Sequence, residues 1–139
     1  MRRWQLLIIP SKLRVVAALV IILAPDPSIQ SYTEYVHNEL SGNKKLIVHC
    51  RSKDDDIGAQ IVDVGSDLHW DFFGGDRTLF WCKLAVEDRR LSFDAYTNSD
   101  AYGSICCRDI HWSVRDDGLH LLDSDGQELK SHRQGWNHP

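Results

Sequence analysis

Apolar residues recur at every second position along most of the chain after residue 30, in short runs. "KLIVHCRS" sets Leu46, Val48 and Cys50 on one side and Ile47, His49 and Arg51 on the other. "DLHWDFF" groups Leu68, Trp70 and Phe72 against His69 and Asp71, and "TLFWCKLAV" groups Phe80, Cys82, Leu84 and Val86. "RLSFDAY" and "DIHWSVRD" repeat the pattern with Leu91, Phe93 and Ala95, then Ile110, Trp112 and Val114. Successive side chains of a β-strand point to opposite faces, so each run predicts a half-buried strand. "YTEYVHNEL" and "AQIVDV" are weaker candidates.

Turn residues separate the runs. "SGNKK", "VGSD" and "FFGGDRT" interrupt the alternation, and "RDDGLHLL" predicts a tight hairpin in which Asp117-Gly118 supplies the positive φ angles. "DSDGQEL" repeats the device at Asp125-Gly126. Seven to eight short strands with such turns predict a small all-β protein, an antiparallel β-sandwich.

Composition places this domain. The chain has 139 residues, 42% hydrophobic and 26% charged, which fits one globular domain. Its start is different in kind. Arg2, Arg3, Lys12 and Arg14 precede the apolar run "VVAALVIILA" at residues 15 to 24, too short to span a bilayer comfortably. Residues 1–30 therefore read as a secretory signal, with the cleavage site undefined among Ala24, Ser28 and Ser31, and 31–139 as the mature domain. That domain holds 12 basic against 19 acidic side chains, a net −7. Acidity argues against nucleic acid and against anionic membrane surfaces as partners. No stable membrane insertion is expected once the signal is removed.

Four cysteines, Cys50, Cys82, Cys106 and Cys107, suit an oxidising compartment and two disulfides. Four cysteines allow three pairings. Bonding Cys106 to its neighbour Cys107 closes a strained small ring, so the favoured scheme ties Cys50 and Cys82 separately to the adjacent pair. The paired Cys-x-x-Cys spacing of a zinc site is missing.

The ordered blocks "VHNEL", "LIVHCRSKDDDIG", "HWDFF", "TLFWCKL" and "HWSVRDDGLHL" resemble the plant self-incompatibility protein family, over roughly residues 34 to 136. The resemblance implies a secreted, disulfide-linked β-sandwich that acts as an extracellular signalling ligand for a cell-surface receptor, without catalysis or cofactor. One departure concerns the cysteines. Many members place a cysteine two residues before the hairpin tryptophan, where this chain has Ile110, so the resemblance leaves the pairing open.

The inter-strand loops are the expected contact surface, because a rigid sandwich tolerates loop variation. Candidate receptor contacts are Asp54, Asp55, Asp56, Arg77, Arg89, Arg90 and Tyr102. The Asp54–Asp56 run lacks EF-hand spacing and reads as a solvated turn, with no metal expected. Seven histidines, with His49, His69 and His111 on outer strand faces, keep a histidine-based secreted hydrolase as an alternative, as do surface aromatics for a carbohydrate- or lipid-binding module. No asparagine stands in a glycosylation acceptor motif. The sequence carries no sign of oligomeric state.

Overall fold

The alternating runs fold as two stacked four-stranded sheets in a computed structural model that describes residues 30–74, 78–97 and 109–137. The strands are β1 (Gln30–Asn38), β2 (Leu46–Arg51), β3 (Asp56–Val62), β4 (Asp67–Gly74), β5 (Leu79–Val86), β6 (Arg89–Thr97), β7 (Asp109–Arg115) and β8 (Gly118–Leu122). One sheet has the order β4-β1-β7-β8 and the other β3-β2-β5-β6. Neighbours are antiparallel except β1 and β7, which run parallel in the middle of the first sheet. Residues 1–29 and 98–108 lie outside the described residues, and with them the expected signal, Tyr102, Cys106 and Cys107.

The inward residues are those the alternation selects. Val36, Leu46, Val48, Leu84, Leu91, Ile110, Trp112, Val114, Leu119 and Leu121 are buried between the sheets. Asn38, also buried, ends β1. Its Nδ2 donates to the carbonyls of Lys44 (3.0 Å) and Val62 (2.8 Å), and its Oδ1 accepts the Leu40 amide. One side chain thus ties three chain segments together at one end of the sandwich.

The cysteine scheme favoured by the sequence is overturned. Cys50 bonds Cys82, not a member of the 106–107 pair. The two are 32 residues apart, but β2 and β5 are hydrogen-bonded neighbours and their register sets Cys50 opposite Cys82, with Cα atoms 4.0 Å apart. Both sulfurs point into the core, and adjacency of β2 and β5 is a fact of topology that spacing does not reveal.

The hairpin at residues 115–118 differs by one position from expectation. Arg115 pairs with Gly118, so Asp116 and Asp117 form the loop, and Gly118 alone takes positive φ, at +136°. A Cβ there would lie 2.2 Å from the Gln134 carbonyl oxygen. That close approach belongs to the C-terminal segment, which closes one flank. Gln134 exchanges backbone hydrogen bonds with Leu119 on β8, and Asn137 exchanges them with Arg90 on β6. The same segment therefore covers an edge of each sheet.

Candidate functional site

The β2–β3 connection is a tight turn built by Ser52. Its amide donates to the Asp55 carbonyl at 2.7 Å, and its Oγ accepts the Asp55 amide at 3.0 Å. The turn holds Asp54, Asp55 and Asp56 exposed at the tip of the hairpin. Asp56 is also turned back on the strand: Oδ1 accepts the Gly58 amide at 2.9 Å and meets His49 Nε2 at 2.7 Å. The Gly58 amide first, then the His49 hydrogen bond, hold its carboxyl below the usual range. Asp54 and Asp55 are left to face solvent.

These acids line one wall of a cleft of about 980 Å³ at that end of the sandwich. Asp71 adds a further carboxylate, with Thr33 Oγ1 donating to it at 2.6 Å. Aromatic rings supply the rest: Trp70, Phe72, Phe80 and Trp81 line it, and Phe73 projects with 69% of its surface exposed. Arg51 lies over the Trp81 ring, 5.8 Å from its centroid. Lys53 stands on the same rim, but four carboxylates outnumber it, and a net acidic rim over an apolar aromatic floor suits a ligand that is cationic and partly apolar.

The other expected contacts lie elsewhere. Arg89 and Arg90 begin β6, at the opposite end of the sandwich from the cleft, and both are engaged. Arg89 donates to the Asp116 carbonyl at 3.0 Å and stacks over Trp136, while Arg90 donates to the Glu87 carbonyl at 2.8 Å. Arg77, like Tyr102, lies outside the described residues. The structure thus brings together the three aspartates and adds Phe73, Leu79 and Trp81, which the sequence reading passed over. A phenylalanine on the outward beat of β4 was the available signal.

A second polar surface covers the outer face of the first sheet. Register sets Asp67, His37 and Ser113 in one row, and His69, Tyr35 and His111 in the next. His37 Nε2 meets His111 Nδ1 at 2.8 Å, Asp67 bonds His69 Nδ1 at 2.8 Å, and Tyr35 stacks on His111 with centroids 4.4 Å apart. Burial, then the neighbouring His37, pull the His111 pKa down. Acid–base cleavage of a phosphodiester needs its two histidines on either side of the phosphate. Here the rings touch, and Asp67 stands beside them. Among the described residues no group of three histidine, cysteine or acidic side chains is arranged to hold a metal ion.

The geometry defines a class: a small two-sheet β-sandwich with a core disulfide and an acidic loop end. Comparison makes the class specific. The family described as "Plant self-incompatibility protein S1" matches residues 35–136. S-protein homolog 5 of Arabidopsis thaliana is 31% identical over 94 residues, 66% of this chain and 72% of that protein. Self-incompatibility protein S1 of Papaver rhoeas is 30% identical over 97 residues, 66% of this chain and 68% of that one. A solved structure of a self-incompatibility protein homologue superposes with a TM-score of 0.58 at 17% identity, covering 81% of this chain and 99% of that one, which establishes the shared fold. The chain belongs to the plant self-incompatibility protein family.

Proposed function

We propose that this chain is a secreted plant recognition protein that binds a cell-surface receptor through the loop end around the Asp54–Asp56 turn, without catalysis. The observation that carries this reading is the acid-rimmed aromatic cleft, in which exposed carboxylates share one surface with the exposed Phe73 and the half-buried Trp81. Family membership supports it, since the relatives include a self-incompatibility protein and the solved homologue is described as small, highly stable and secreted. Residues 1–30 then act as a cleaved signal, and Arg77 and Tyr102 remain candidate contacts beside the three aspartates.

Labelled, oxidised protein added to plant protoplasts tests the reading. Saturable binding should weaken about tenfold in Asp54→Asn/Asp55→Asn and in Trp81→Ala. Binding unchanged by either substitution, or by exchange of the 52–55 turn, would move the contact to a sheet face. The exposed Phe73 and the half-buried Trp81 also suit a glycan or lipid ligand. Reproducible micromolar binding on a glycan or lipid array, lost in Trp81→Ala, would favour that second reading.

A further inference from the structure

Two stacked sheets present four edge strands, and three of them are protected. The C-terminal segment bonds to β8 and β6. β4 carries Asp67, His69 and Asp71 on its outward positions. Charges and covering segments are the ordinary means of blocking an exposed edge. β3 has neither. From Ile57 to Val62 it is uncharged and contains no proline.

The disulfide register shows which β3 groups are open. Cα atoms only 4.0 Å apart mark Cys50 and Cys82 as a non-hydrogen-bonded pair. Cys50, Val48 and Leu46 therefore turn their backbone groups toward β3, where Val48 faces Gln60 and Leu46 faces Val62. The alternate residues Ala59 and Ile61 turn their amides and carbonyls outward, and among the described residues no loop bonds to them. Ile61 is 66% exposed and stands opposite Ile47, itself 47% exposed, which makes an apolar strip beside the open edge. Asp54 and Asp55 stand at the start of β3.

The geometry points to β3 as an acceptor strand for an extended segment of a protein partner. That segment adds antiparallel to the edge, sets an aliphatic side chain against Ile61, and ends in cationic residues that meet Asp54 and Asp55. This rests on the receptor-binding reading above and names the form of the bound segment. A second copy of the chain is the poorer occupant, because two domains of net −7 repel.

The test titrates the ¹⁵N-labelled oxidised protein with a blocked peptide of alternating valine and threonine that ends in two lysines. Amide exchange at Ala59 and Ile61 should slow on binding. A peptide ending in two glutamates should bind about tenfold more weakly or worse. Methylating alternate peptide amides should abolish the protection. Ala59→Pro removes one outward amide, and Ile61→Lys places a charge on the strip; each should abolish binding, and the second keeps the test open should the first not fold. Shifts at Phe73 and Trp81 with no protection of β3 would overturn the edge inference while leaving the cleft reading intact. Concentration-dependent protection of β3 without peptide would overturn it in favour of self-association.

Discussion

Glu34 and Trp70 face each other across the β1–β4 ladder, both buried, and among the described residues neither the carboxylate oxygens nor the indole nitrogen has a hydrogen-bond partner. Desolvation pushes the Glu34 pKa well above the ordinary value. The nearby Trp112 indole tempers this little, because its N–H is committed to the Ala95 carbonyl. The folded state therefore keeps a proton that the unfolded chain releases above about pH 4.5, so stability falls as pH rises through that range. Glu34→Leu should flatten the dependence and add about 1–4 kcal/mol at neutral pH. Urea unfolding at pH 5 and pH 8 checks it; a variant with an unaltered pH slope would contradict the assignment.

Reduction of Cys50–Cys82, or the double change Cys50→Val/Cys82→Val, should cost about 2–4 kcal/mol. Mass spectrometry of the unreduced digest should recover the peptides holding these two cysteines as one species. Recovery of either joined instead to the 106–107 peptide would refute the pairing.

Gly118→Ala should destabilise by about 2–3 kcal/mol, since it combines a positive φ with a clash against Gln134. Gly126, at φ +80° with open space around its Cβ position, should cost only about 1 kcal/mol when changed to alanine. Thermal melts of the pair separate steric from conformational cost. Equal losses would argue against the close packing of the C-terminal segment on β8.

His120 sits buried between Asp117, at 2.7 Å from Nε2, and Glu128, at 2.5 Å from Nδ1. Each ring nitrogen thus meets one carboxylate oxygen. Arg133, then His120, lower the Glu128 pKa to about 2, and His120 lowers that of Asp117. Their contribution is complete above the ordinary carboxylate range and is lost as pH falls toward about 2. Glu128→Gln should raise the acid-unfolding midpoint, read by circular dichroism, and speed amide exchange at Gln134. A midpoint that stays put would show the network to be inert.

Asn38→Asp should be among the most harmful changes. It replaces two N–H donors with oxygen facing the Lys44 and Val62 carbonyls, at a cost of about 3 kcal/mol or more. Chemical denaturation would reveal it, and near-wild-type stability would mean the amide is dispensable.

The strands were legible because their apolar beat survives in "KLIVHCRS" and "TLFWCKLAV". β1 read weakly for a physical reason: its inward positions include Glu34 and Asn38, polar groups that a pattern assigns to solvent. The Asp54–Asp56 turn was legible as a turn, since serine and aspartate bond their own backbone. The cleft was not, because the β2–β3 turn meets the consecutive ends of β4 and β5 only once the sheets stack. The disulfide failed because β2 and β5 become neighbours only through the strand order within one sheet, and the same holds for the meeting of His37 with His111, 74 residues apart on the paired β1 and β7.

That parallel pairing also dictates an order of events during synthesis. β1 leaves the ribosome first, yet it sits between β4 and β7, and β7 arrives more than seventy residues later. The second sheet draws its strands from residues 46 to 97 and can form its hairpins while the chain is still growing. The first sheet must hold an unfinished interior strand until nearly all of the polypeptide has emerged. Over that interval the open sides of β1 are the unpaired edges that invite misassembly.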